Sequence, residues 1–188
     1  MEKTLNRLLV IFREMVANYK ERGAIWKNIP LGKEAFELMK SLPPTVKGEF
    51  NTPADKAHLL SQMLDHMDEE TTPRFAIGVR EYMHSLDPKD EDNNRELKKL
   101  RDYIDLDFPM PEYCKRYRRH LKFDPIERTE QWEEVIYDIE KECHKRLRGV
   151  PRRMGFCFAH WSTKHDVLSK YGIDWNSPKR MNPRVIFD

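Results

Sequence analysis

Apolar residues recur at three- and four-residue steps through one segment of this chain after another, and proline or glycine punctuates nearly every segment. That pattern selects helices, because 3.6 residues per turn bring positions i, i+3, i+4 and i+7 onto one face. Leu5, Leu8, Leu9, Phe12, Met15, Val16 and Tyr19 define the first, which ends before Gly23. A shorter helix over about 32–41, through Phe36 and Met39, stops at Pro43-Pro44, since the residue before a proline is pushed out of the helical region. Only seven glycines occur in 188 residues, which disfavours an all-β protein with many tight turns.

Thr52-Pro53 and Thr72-Pro73 repeat one helix-start signal: a hydroxyl able to cap, then a residue whose missing N–H had no partner in the first turn. The helices they open run through Leu60, Met63 and Met67, and through Val79, Tyr82 and Leu86, and should form an antiparallel hairpin. Further helices are expected near 94–104 and at 111–121, the latter after the bend of Phe108-Pro109-Met110-Pro111. Asp124, with Glu127 three residues on, forms a capping box. It should open the longest helix, 125–148, through Trp132, Ile136, Ile139, Cys143 and Leu147. A last helix from about 151 carries Met154, Cys157, Phe158, Trp161, Leu168 and Tyr171 and closes on Gly172. A strand over 154–161 is the alternative, with no second strand to pair with.

The expected fold is all-α: an irregular bundle of seven to eight helices with an extended C-terminal belt. Trp175, Val185 and Phe187 lie in that tail, and disordered tails are poor in large apolar residues. A partner-binding lid is the other reading of it. The acidic, breaker-rich residues 88–94 would link an N-terminal subdomain, 1–87, to a basic C-terminal one, 95–188, unless the two form a single domain. Arg13-Glu14 interrupts the apolar run Leu8 to Phe12 at once, so neither a secretory signal nor a membrane span is expected. Three cysteines point to reduced thiols and a cytoplasmic home.

Two pairs, Asp55-x-x-His58 and Glu81-x-x-His84, have the spacing of carboxylate–histidine ligands in di-iron bundles. At 100° per residue, however, both lie opposite the apolar stripes and face water. Cys143, Cys157, His160 and His165 are zinc-ligand types. Their spacing is not that of a zinc finger, and both cysteines fall in apolar stripes, where a free thiol packs as a small hydrophobe. No metal or cofactor is expected. A nucleophilic Cys157 beside His160 or His165 lacks a marked orienting group and oxyanion donor.

Charge is uneven along the chain. Residues 1–111 carry 17 Lys+Arg against 20 Asp+Glu, and residues 112–188 carry 17 against 12. Lys115, Arg116, Arg118, Arg119, His120 and Lys122 are interleaved with Tyr113 and Tyr117, while Lys145, Arg146, Arg148, Arg152 and Arg153 surround Gly149-Val150-Pro151. Arginine beside aromatics suits phosphate contact and stacking on single strands. The plainer reading places these cations at helix C-termini, paired with Glu130, Glu133, Glu134 and Glu140. A helix-turn-helix over 125–171 is disfavoured by Pro151 in its turn and by the length of its first helix.

Two function classes follow. The leading one is a non-enzymatic binding or adaptor protein that turns the basic surface of residues 112–153 toward an acidic partner, nucleic acid or protein. Its contact residues would be Lys115, Arg116, Arg118, Arg119, Arg148, Arg152 and Arg153. The alternative is a metal- or thiol-dependent enzyme, or a small-molecule binder, centred on Cys157, His160, Trp161 and His165.

Overall fold

The computed structural model describes residues 1–187, and they are all-α as the periodicity requires. Among them lie nine α-helices: α1 (Glu2–Lys20), α2 (Asn28–Ser41), α3 (Pro53–Asp65), α4 (Pro73–Leu86), α5 (Glu91–Ile104), α6 (Met110–Arg116), α7 (Glu130–Arg146), α8 (Phe156–Ser169) and α9 (Pro178–Met181). Short 3-10 turns occupy Ile25–Lys27 and Pro125–Arg128. No described helix is long and apolar enough to cross a membrane. The chain divides into two compact units between Arg101 and Asp102, inside α5. Residues 88–94, read as a linker, form the approach to α5 and its first turn.

In the first unit, Leu8, Ile11 and Met15 of α1 share one core with Phe36 and Met39, Leu60 and Met63, Val79 and Met83, and Leu100. The α3–α4 pair packs as the expected hairpin. Its two start signals behave differently. Thr52 Oγ1 accepts from the Asp55 N–H at 3.1 Å, and Asp55 reaches back to the Thr52 N–H at 2.9 Å. The Thr72 hydroxyl makes no capping bond, so Pro73 carries that helix start without it. Helix α2 begins at Asn28, four residues before the apolar pattern announces it. The buried Asn28 amide donates to the carbonyls of Met15 and His66 and accepts from Asn18. A polar group satisfied so fully is stable in a core, yet hydrophobic periodicity does not register it.

The second unit departs from expectation at three places. Helix α6 ends at Arg116 rather than 121. There the Arg119 N–H bonds to the Cys114 carbonyl and the Arg118 N–H to Lys115, a Schellman ending whose left-handed residue is Arg118, φ 52°. The capping box at Asp124 exists but opens only a 3-10 turn. The backbone is extended at Thr129, whose hydroxyl then caps α7. Consequently α7 has 17 residues and α1, with 19, is the longest helix. The cause of the break is Arg128, which turns inward and donates to the main-chain oxygens of Asp102, Tyr103, Asp105 and Phe108. Those are the orphan carbonyls around the C-terminus of α5, where a cation is favoured. Finally, α8 starts at Phe156 behind the left-handed Gly155, and Met154, assigned to its apolar stripe, is 86% exposed.

The belt is present and includes a short helix, α9. Ile173 and Trp175 are buried, whereas Val185 and Phe187 are only half-buried. Trp175 Nε1 donates to Glu127 at 2.8 Å, and Asp124 accepts from both the main-chain and side-chain nitrogens of Asn176. Further on, Asn182 accepts the Lys122 N–H at 2.9 Å and returns a bond to the Lys122 carbonyl at 2.8 Å.

Candidate anionic-ligand interface

The second unit places its first basic cluster on an aromatic base. Tyr103, Tyr113 and Phe123 form a buried cluster packed with Phe108 and Tyr117, and the arginines of the loop lie on its rim. Arg116 sits 4.5 Å over the Phe108 ring and Arg119 4.6 Å over Phe123. Asp102 accepts from Arg116 at 2.8 Å and from the Tyr117 hydroxyl at 2.6 Å. Burial, reinforced by the bond to Asp102, pushes the Tyr117 hydroxyl up to about 12. Lys115 and Arg118 are exposed, and no hydrogen bond or ion pair holds their side chains among the described residues.

The second cluster lies beyond the other end of α7. Its 17 residues span ~25 Å at 1.5 Å each, with Phe123 and the 3-10 turn before its start and Arg148, Arg152 and Arg153 after its end. Lys145 and Arg146 pair there with Glu142, which is not one of the glutamates the plainer reading named. Arg152 stands over the Phe156 ring at 5.0 Å, and Arg148 and Arg153 are exposed. The nine residues between α7 and α8 exceed the three or four of a helix-turn-helix.

Glu140, expected to pair with this cluster, turns to α8 instead. It accepts from Lys164 at 2.7 Å and lies 3.1 Å from His160 Nε2. The Lys164 ammonium also faces the rings of Trp132 at 4.7 Å and Trp175 at 5.5 Å. Burial alone would raise the Glu140 carboxyl, but Lys164 and His160 outweigh it and hold it at about 2.

Of the four residues proposed for an enzymatic centre, all on α8, two line one groove. His160 is engaged by Glu140 on the α7 side, Cys157 is half-buried, and Trp161 and His165 look outward into a groove. The groove has a volume of about 320 Å³. Phe158 and Trp161 form its aromatic wall, Ser162 and Ser177 its hydroxyls, and His165, Lys179 and Arg180 its basic edge. Sequence reasoning missed it because α8 and α9 each contribute half. The available signal was Ser177-Pro178-Lys179-Arg180, a basic pair in a belt that also carries Trp175 and Phe187.

Among the described residues no group of three His, Cys, Asp or Glu could hold a metal ion. Asp55, His58, Glu81 and His84 are all exposed. Cys143 is fully buried, and burial, with Glu140 nearby, pushes its thiol up to about 11. A thiol raised so far is almost wholly protonated at neutral pH, although its rarer thiolate is the more nucleophilic. Cys143 is therefore expected to react with a thiol reagent at least about tenfold more slowly in native protein than in urea. Equal rates, measured by mass spectrometry of the labelled peptides, would remove it from the core.

Comparison of the chain with family models, with curated proteins and with solved structures found no match.

Proposed function

We propose that this is a non-catalytic binding protein whose second unit engages a single-stranded nucleic acid through the basic surface of residues 112–153. The observation that carries this reading is Arg118. It is the one non-glycine residue with positive φ among the described residues, and it stands exposed at the centre of the first basic cluster. A left-handed conformation costs an ordinary L-residue roughly 1 kcal/mol that glycine would avoid. Strain of this kind is retained where a side chain is needed at that spot. Here the side chain is a guanidinium, flanked by Lys115, Arg116 and Arg119.

The aromatic setting favours a single strand over other acidic partners. Arg116, Arg119 and Arg152 each stand over an aromatic ring, a contact that limits the freedom of a guanidinium, the group best suited to phosphate. Helix α7, ~25 Å long, lies between the two clusters in the chain, a length of several nucleotides of extended strand, and the aromatic groove of α8 and α9 belongs to the same unit.

Arg118→Gly separates the two accounts of the residue. It should stabilise the fold by roughly 0.5–1 kcal/mol and at the same time weaken binding to a labelled oligonucleotide. Stabilisation without loss of binding would reduce Arg118 to a local oddity. The combined Arg118→Glu, Arg152→Glu variant, titrated at two salt concentrations, should flatten the dependence of log K on log salt by about 1.4, two contacts at ~0.7 each. Absence of any oligonucleotide binding by the wild-type protein at low salt would sink the nucleic-acid reading and leave an acidic protein as the partner.

A further inference from the structure

We infer that the groove between α8 and α9 is a nucleotide subsite, taking one unpaired base against Phe158 and Trp161 and its phosphate against Arg180 and Lys179. The inference deepens the single-strand reading and rests on it for the source of the nucleotide.

Four observations converge on that ligand. The rings meet at right angles, with Trp161 set at 84° to Phe158 and at 89° to Phe187, and centroids 5.5 and 5.1 Å apart. A planar heterocycle entering such a corner can stack on one ring while meeting another edge-on, the two arrangements that aromatic quadrupoles favour. The rest of the lining is basic, His165, Lys179 and Arg180, and no carboxylate is among the described residues that line the groove; Asp166 stands outside it, 3.8 Å from His165 Nδ1. An anion is thus the complementary charge. Lys179 is fixed in place, because Nζ donates to the Pro183 and Val185 carbonyls at 3.2 and 2.8 Å, which leaves a third donor for a phosphate oxygen. Ser162 and Ser177 supply hydroxyls of the kind that bond sugar and phosphate oxygens.

Size and access agree with this assignment. A volume of about 320 Å³ lies at the lower end of small-ligand clefts, ~300–1,000 Å³. A base within a duplex has both faces covered by its neighbours and could not enter, so the site selects unpaired nucleotides. Stacking on aromatics is also tolerant of sequence, and nothing in the lining would read one base to the exclusion of the others.

The test compares ten-nucleotide oligothymidylate with an abasic oligonucleotide of equal length and charge. Wild-type protein should bind the thymidylate about tenfold or more tightly than the abasic strand, the scale of a stacked base. Ser162→Phe, an exposed substitution that fills the groove, should abolish that preference, with its melting temperature recorded to confirm an intact fold. Arg180→Glu should weaken the thymidylate and reduce the preference. Arg118→Glu with Arg152→Glu should weaken both strands equally and preserve the ratio. A ratio near one in wild type, or a ratio that survives Ser162→Phe, overturns the subsite even when strand binding itself is strong. If neither strand binds, the single-strand reading has failed, and calorimetry with thymidine monophosphate decides the groove separately. Saturable binding weakened tenfold by Ser162→Phe retains it as a site for free nucleotide, and no binding overturns it.

Discussion

Truncation after Gly172 lowers the melting temperature of the second unit by roughly 10 °C or more. Trp175 alone justifies the size. It is buried against Trp132 with ring centroids 6.2 Å apart, and its indole N–H is bonded to Glu127. Replacing a buried tryptophan by alanine costs about 3–5 kcal/mol, and 1 kcal/mol corresponds to roughly 2–8 °C for domains in this size range. The truncation removes more than that side chain. Asp124 is buried, and its Oδ2 would lose both donors of Asn176 while Oδ1 keeps the Ile126 N–H; a buried carboxylate oxygen left without a donor is penalised beyond the bonds themselves. Trp175→Ala in the full-length protein should reproduce most of the loss. An unchanged thermal melt for the truncated chain would show that the belt contributes nothing to the fold.

Lys164→Met is the second large effect, about 3–5 kcal/mol at neutral pH, because it leaves the Glu140 carboxylate buried without its principal countercharge. The pH dependence has a defined sign. In the wild type Glu140 is held at about 2, below the ordinary value of ~4.3. Its contribution is therefore complete above the unfolded value and drains away as pH falls from ~4.5 toward 2, about 3 kcal/mol in all. In Lys164→Met the burial is no longer opposed by the lysine, so the carboxyl rises, and the variant should lose least relative to wild type in acid and most at pH 7. Adding Glu140→Gln should recover much of the loss. Denaturant titrations at pH 3, 4, 5 and 7 measure all of this. A Lys164→Met deficit that is constant across that range would mean that Lys164 acts through packing on the two tryptophans and not through Glu140.

Helical periodicity carried the larger part of the fold. The α3–α4 hairpin and the fully buried Cys143 follow from apolar residues repeating at a helical step, and the docked Trp175 from the apolar content of the tail. Where the reading failed, the deciding partner was distant or the expected residue type was missing. The break at Thr129 depends on Arg128 meeting carbonyls 20 to 26 residues earlier. The end of α6 depends on an arginine in the conformation usually signalled by glycine. The candidate site divides in the same way. The basic clusters are contiguous in sequence and could be named, whereas the groove joins Phe158–His165 to Ser177–Arg180 and exists only once the belt has folded back. Equally, sequence could not show that His160 and His165, both on α8, serve opposite sides of it.

The bonds that seat the belt span long stretches of chain: 48 residues from Trp175 to Glu127, 52 from Asn176 to Asp124 and 60 from Asn182 to Lys122. Contacts of that separation are slow to find, since the intervening chain must be closed before they reward it. The α7–α8 pair, joined by nine residues, has no such delay. Belt closure is then the late step in maturation of the second unit, and interactions formed after the transition state act mainly by slowing unfolding. Asn182 and Trp175 thus govern how long a folded molecule lasts more than how quickly it forms, and the groove beside Phe158 and Trp161, having α9 as one of its walls, is assembled last.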